Sequence, residues 1–135
     1  MKRLLSLLAA LFILAVAVPA FAADCQNRGL LDPMYCDNDM DMVADLAPEG
    51  MCKNPSTLVF TYTPVEDPAV YQDVFADFQA HLKRATGKDV VYYTVHSNSA
   101  QVEAMRSGRL HVAGFSTGPT GFAVNLAGFV PIAVK

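Results

Sequence analysis

The sequence predicts an α/β fold over residues 57–135, in which helices cover both faces of a mostly parallel sheet. Runs rich in β-branched and aromatic residues alternate there with helical segments, in the order β-α-β-α-β-α-β. Small polar residues follow each of the first three strands, where the next helix begins. Because right-handed crossovers join successive parallel strands, this order predicts a three-layer α/β domain.

The first strand and the first helix have the clearest pattern. Leu58–Tyr62 is a β-rich run, and Asp67 followed by Pro68 is typical of a helix N-terminus. Gly87 is expected to end this helix. Apolar side chains recur along it at steps of three and four residues and form one stripe: Tyr71, Val74, Phe75, Phe78, Leu82 and Ala85.

The second strand is predicted at Val90–Val95, and the helix that follows it ends at Gly108. Asn98 and Gln101 have the spacing of a capping box, in which a side chain in the first turn bonds back to the backbone of the capping residue.

The third strand is predicted at Leu110–Phe115 and the third helix at Pro119–Leu126. A fourth strand, Phe129–Val134, is expected to follow it.

The N-terminus has the pattern of a secretory signal peptide. Lys2 and Arg3 precede an apolar run, Leu4–Val18, and small residues follow it at Ala20 and Ala22. The run is shorter than the roughly 20 residues that span a bilayer. We therefore expect export of the protein with cleavage after Ala22.

The charge of the chain limits its partners. The formal net charge is −3, and removal of residues 1–22 with their two basic side chains makes the remainder more acidic. This balance argues against nucleic acid and anionic membranes as partners. The remaining length suits one domain with its own core.

Residues 23–56 differ in composition from the α/β region and are expected to form an acidic, loop-rich leader. This leader and its joint contain all three cysteines of the chain. In an oxidising compartment one disulfide is expected, and pairing of Cys36 with either Cys25 or Cys52 would close a short loop. The sequence leaves that choice open.

Within the leader, four carboxylates occupy loop positions one, three, five and nine: Asp37, Asp39, Asp41 and Asp45. This spacing can wrap several oxygens around a calcium ion. Met42 stands where such loops usually have glycine, and Pro48 where they have glutamate. A solvated acidic loop is the alternative, and no other cofactor is expected.

The candidate ligand site is the set of three strand-to-helix junctions, Thr61–Thr63, Ser97–Ser99 and Ser116–Gly118. Junctions of this kind lie along one edge of a parallel sheet, so their hydroxyls and backbone N–H groups can converge on a small oxyanion. Ser116, Thr117 and Gly118 are the best candidates, because a helix N-terminus favours an anion by roughly 0.3 to 2 kcal/mol. Ordinary helix capping is their alternative role.

Four segments together suggest a family: Tyr62–Pro64, Ser97–Gln101, Met105–Arg109 and Ala113–Gly118. With these segments, residues 57–135 resemble the periplasmic phosphate/phosphite/phosphonate-binding proteins of ABC transporters. The resemblance implies the first lobe of a type II periplasmic binding protein, because such proteins have two α/β lobes and about twice this length or more. It also implies capture of a phosphorus oxyanion without chemistry, and docking on a permease in the inner membrane.

The same resemblance implies roles for further residues. Thr63 matches one wall of the ligand cleft, and Phe115 matches a position that faces the substituent on phosphorus. The second wall is formed by Ser97, Asn98, Ser99 and Gln101. Gln101 could instead complete the capping box, and Phe115 could belong to the core.

Parts of the sequence are also compatible with two other function classes. A phosphoester hydrolase would use Ser116 as nucleophile with His96 or His111 as base, but no complete catalytic set is present in the sequence. A calcium-stabilised exported interaction module would make the acidic leader the functional part. Arg106 and Arg109 are expected at the far end of their helix, on a solvated face or against a permease.

Overall fold

The computed structural model describes residues 25–50, 52–63 and 68–133. The predicted signal peptide with its cleavage after Ala22, the capping residue Asp67 and Val134 lie outside these residues. Within the described part of the chain, no helix has the length and apolar character that a membrane crossing requires.

Three strands and four helices alternate along the chain. They are β1 Thr57–Tyr62, α1 Pro68–Val74, α2 Ala76–Thr86, β2 Asp89–Tyr92, α3 Asn98–Arg106, β3 Val112–Gly114 and α4 Thr117–Ala127. The strands form one parallel sheet in the order β2-β1-β3. The predicted α/β class with a parallel sheet is therefore confirmed, although β2 and β3 are shorter than predicted and α4 begins two residues earlier.

Neighbouring residues of β1 show that helices cover both faces of the sheet. The ring of Phe60 contacts Phe75 and Phe78, with ring centroids 5.3 and 4.9 Å away. Val59 packs against the core cluster to which α3 and α4 contribute. Because successive residues of a strand point to opposite faces, α1 and α2 lie on one side of the sheet and α3 and α4 on the other.

The side with α3 and α4 contains the better buried core. Val102, Met105, Leu110 and Ala123 are all nearly inaccessible to solvent. On the other side, every residue of α2 stays at least partly exposed. The predicted apolar stripe is therefore covered only in part.

The predicted first helix is two helices, because Phe75 interrupts it with φ −95° and ψ 10°. Its ring packs among the aromatic rings of β1, α1 and β2, at 5.0 Å from Tyr62 and 6.5 Å from Tyr92. Phe75 N–H still donates to the Tyr71 carbonyl at 3.0 Å, and Gln79 N–H donates to the Phe75 carbonyl at 2.9 Å. Since helical spacing continues through the break, the sequence pattern did not reveal it.

The capping residue of α3 is Ser97 rather than Asn98, so the predicted capping box is wrong. The Ser97 hydroxyl accepts a hydrogen bond from Ala100 N–H at 3.1 Å. The Gln101 amide turns into the protein and donates to the Gly114 carbonyl at 3.1 Å. The Gln101 side chain is therefore held by a carbonyl 13 residues further along the chain, and it does not accept from a capping N–H as the local pattern predicted.

The predicted fourth strand is absent from the described residues, where 129–133 pair with no other strand. Gly128 ends α4 in the left-handed conformation, with φ 62°. Phe129 N–H then donates back to the Ala123 carbonyl at 3.2 Å, which is typical of a helix C-terminus. High β-propensity does not make a strand unless a partner strand lies beside it.

The leader lies against the C-terminal ends of α3 and α4. Asp32 N–H donates to the Asn125 carbonyl at 2.7 Å. The Asp32 carboxylate accepts from the Arg106 guanidinium at 3.0 Å. Leu31, the residue before Asp32, is buried. Arg106 was predicted to lie on a solvated face or against a permease. In the structure it forms an ion pair with Asp32 of the leader.

The disulfide joins Cys25 and Cys36, with Cα atoms 5.4 Å apart. Cys52 remains an exposed free thiol. The structure therefore chooses between the two pairings that the sequence left open.

Acid is expected to destabilise the wild-type protein more than a His111→Asn variant. His111 Nδ1 accepts from Val59 N–H at 3.0 Å, which requires the neutral ring. Burial, and then the charge of Lys53, lower the pKa of His111 below its ordinary 6.5. Its contribution is therefore present above about pH 6.5 and is lost as the pH falls through the folded-state pKa.

Asparagine offers Oδ1 to the same N–H but does not titrate, so the two proteins should differ mainly at low pH. Urea unfolding at pH 7.5 and pH 5.0 measures this difference. An equal loss of stability on acidification in both proteins would show that His111 is not the sensitive group.

Candidate functional site

Three hydrogen-bond donors converge on the Gly114 carbonyl at the end of β3. They are Thr63 N–H at 2.9 Å, the Thr63 hydroxyl at 3.1 Å and the Gln101 side-chain amide at 3.1 Å. The Thr63 hydroxyl also accepts from Ser116 N–H at 3.3 Å. We call these four residues the Gly114 junction. They tie together the end of β1, the first turn of α3 and the start of α4.

Thr63 and Gln101 are both buried, at 2 % and 0 % exposure. The Thr63 hydroxyl has one hydrogen, which it donates within the junction. The Thr63 hydroxyl would therefore influence ligand binding only indirectly, by holding the backbone of Ser116. Direct ligand contact by Thr63 remains a prediction.

Gln101 Oε1 is buried and has no hydrogen-bond partner among the described residues. An unsatisfied buried acceptor of this kind costs about 1–3 kcal/mol. Buried polar groups in native proteins nearly always have a hydrogen-bond partner. The Gln101 oxygen is therefore an unusual unpaired acceptor within the Gly114 junction.

The N-terminus of α4 presents polar groups to solvent. Ser116 is the capping residue, with φ −77° and ψ 165°, but its hydroxyl makes no capping bond to the described backbone. Thr117 and Gly118 are exposed as well. Capping, the alternative role for these residues, therefore does not occupy the Ser116 hydroxyl.

The N-terminus of α3 reaches the same region. Asn98 and Ser99 are exposed in its first turn. They line a groove of about 440 Å³ between α3 and α4, together with Val102, Glu103, Gly118, Pro119, Phe122 and Leu126. The structure thus brings three of the predicted site residues, Asn98, Ser99 and Gly118, to one groove.

The family model of the periplasmic substrate-binding protein of phosphonate ABC transporters matches residues 60–135. This chain belongs to that family. The resemblance predicted from the sequence is thereby confirmed. Comparison with curated proteins and comparison with solved structures gave no match.

This phosphonate-binding family is one of periplasmic binding proteins, and the family implies a phosphonate-type ligand and ABC transporter components as partners. The family consists of binding proteins, which are typically not enzymes. The matched residues contain the whole Gly114 junction and the groove, whereas the acidic leader lies outside them.

In the leader, Asp37, Asp39 and Asp41 have carboxylate oxygens within 4.8 Å of one another. Asp45, the fourth predicted calcium ligand, is not in this group and accepts instead from Asn38, whose side-chain amide lies 2.7 Å away. Asp37 is buried and accepts from the Asp41 N–H at 2.9 Å. These bonds hold the loop, and calcium binding remains a prediction.

Phe115 is half-buried and packs against the core cluster, the alternative role that the sequence allowed. Contact between Phe115 and a substituent on phosphorus stays a prediction. Phe122 and Leu126 line the groove but were not among the residues predicted from the sequence. Gly118, Phe122 and Leu126 recur every four residues beside the buried pair Ala123 and Ala127, and this second stripe was a usable signal.

Proposed function

We propose that this protein captures a phosphorus oxyanion, namely a phosphonate, phosphite or phosphate, at the N-termini of α3 and α4, and performs no chemistry on it. The observation that carries the proposal is the exposed start of α4. There Ser116 has a hydroxyl without a capping bond to the described backbone, and its N–H donates to the hydroxyl of the buried Thr63, which holds the Ser116 backbone in place.

Electrostatics favour this ligand class. A helix N-terminus carries partial positive charge and unpaired N–H groups, and charge-assisted hydrogen bonds to an oxyanion are stronger than neutral ones. Among the described residues that line the groove, none is basic. Binding would therefore depend on N–H groups and hydroxyls, which suits a ligand with several oxygens.

The biological setting belongs to the same proposal. The protein would be exported after cleavage following Ala22, with residues 57–135 as the first lobe of a type II periplasmic binding protein behind the leader, 23–56. The bound form would dock on an ABC permease in the inner membrane. Hydrolysis through His111 is disfavoured, because its Nδ1 already accepts from Val59 N–H.

Calorimetric titration of the purified protein with phosphate, phosphite, methylphosphonate and 2-aminoethylphosphonate tests the proposal, with sulfate as the control anion. At least one phosphorus oxyanion should bind more tightly than sulfate. A Ser116→Ala variant should bind it about tenfold to a hundredfold more weakly, because a hydrogen bond to a charged group is worth about 1.5–3 kcal/mol.

Ser107→Ala is the matched control, since Ser107 is an exposed serine at the other end of α3. It should leave the affinity unchanged. Equal binding of sulfate, or equal affinity of the Ser116→Ala variant and the wild type, would contradict the proposal.

A further inference from the structure

We propose that the groove between α3 and α4 binds the organic substituent of a phosphonate, so that the protein prefers phosphonates with an apolar chain or ring. The inference rests on the proposed function, because the phosphonate group itself would occupy the helix N-termini. It concerns the part of the ligand that phosphate and phosphite lack.

The lining of the groove changes from polar to apolar along the helices. Asn98 and Ser99 are in the first turn of α3, and Val102 is one turn further along the same helix. On α4, Gly118 is in the first turn, while Phe122 and Leu126 follow at about 6 and 12 Å along the axis. A ligand with an anionic group at the N-termini would therefore extend its substituent over an apolar wall.

The size of the groove exceeds what an inorganic oxyanion fills. Its volume, about 440 Å³, lies in the range of pockets that hold drug-sized organic ligands. A tetrahedral oxyanion at the polar end would leave the space beside Phe122 and Leu126 to water.

The apolar wall is not needed to build the core. Phe122 is 62 % exposed and Leu126 is 39 % exposed, whereas α4 packs on the core through Ala123 and Ala127. A substituent lying over Phe122 and Leu126 would remove apolar surface from water on both molecules, which is the main source of affinity for such groups.

Charge sets the orientation and the chemistry of the substituent. Glu103 is the charged residue that the groove presents among the described lining residues, and its carboxylate lies 3.9 Å from Arg106. A second anionic group on the ligand would meet Glu103. The substituent is therefore expected to carry no negative charge, with the phosphonate at the N-terminal end of the groove.

Titration calorimetry with methyl-, propyl- and hexylphosphonate on the full chain tests the inference. Affinity should rise from methyl to hexyl, by up to about threefold to fourfold for each methylene that the groove covers. Phe122→Ala and Leu126→Ala should each reduce the ratio of hexyl to methyl affinity. Val74→Ala, which changes a residue of similar exposure (65 %) on α1, should leave that ratio as in the wild type.

The outcomes separate this inference from the proposed function. Binding of methylphosphonate with no gain from longer chains would overturn the inference and leave the proposed function standing. A gain that persists in both groove variants would place the substituent elsewhere and overturn it as well.

Failure of every phosphorus oxyanion to bind would overturn the proposed function itself. Analytical sedimentation of the same samples tests whether a second copy of the chain occupies the groove. A dimer that Phe122→Ala dissociates would assign the groove to a second copy of the chain and overturn the inference.

Discussion

Replacing Gly128 by alanine is expected to lower the free energy of unfolding by about 2–5 kcal/mol. Gly128 ends α4 with φ 62°, where an L-residue costs roughly 1–2 kcal/mol. An added Cβ would also lie 2.6 Å from Cε1 and 2.8 Å from Cζ of Tyr35, and overpacking of this kind costs about 1–3 kcal/mol. Tyr35 belongs to the leader, so the variant tests whether the leader packs on α4.

Gly87→Ala is the matched control for this prediction. Gly87 ends α2 with φ 69°, in the same left-handed conformation, but no described atom lies within 4 Å of its added Cβ. Gly87→Ala should lower the free energy of unfolding only by the conformational cost, about 1–2 kcal/mol. Urea unfolding of both variants measures the difference.

A Tyr35→Ala change should recover part of the loss in Gly128→Ala, since removal of the ring makes room for the Cβ. Such non-additivity is expected for residues in contact. Equal destabilisation by Gly128→Ala and Gly87→Ala would contradict the packing of Tyr35 on the end of α4.

Gly114→Ala is expected to destabilise the protein by about 1–3 kcal/mol through steric conflict. Gly114 pairs with Tyr62 across β3 and β1. An added Cβ would meet Cδ2 of the Tyr62 ring and would lie 2.8 Å from its Cε2. The ring cannot easily move away, because it also packs against Tyr71 and Phe75, with centroids at 5.7 and 5.0 Å.

The same substitution should weaken oxyanion binding, because the Gly114 carbonyl is the acceptor on which the Gly114 junction depends. Unfolding and ligand titration of the variant measure the two effects. Gly121→Ala is the control, because no described atom lies within 4 Å of its new Cβ in α4. Its free energy of unfolding should rise by about 0.5–1 kcal/mol, since alanine favours a helix more than glycine does. A Gly114→Ala protein as stable as the wild type would show that Tyr62 does not lie over Gly114.

Much of the fold could be predicted because its signals are local. The runs of β-branched residues placed β1, β2 and β3, and the apolar steps together with Gly87 and Gly108 placed most of the helices. The α/β class and the family also followed from the order of these short segments. Each depends on residues that lie within a few positions of one another.

Several choices that failed depend on which segments of the chain meet in the folded protein. Gln101 had the spacing to cap α3, yet its amide donates to the Gly114 carbonyl. Arg106 pairs with Asp32, 74 positions away. The segment after Gly128 has strand-forming residues but no described strand beside it.

The sequence by itself determined the alternation of strands and helices, the family and the polar residues at the three junctions. Only the tertiary structure decided that Thr63 and Gln101 serve the Gly114 carbonyl, that Ser116 keeps its hydroxyl free of capping, and that Phe122 lines a groove. The physical reason is that backbone periodicity and capping act over a few residues. The partner of a buried polar group is set by which elements meet when the chain folds.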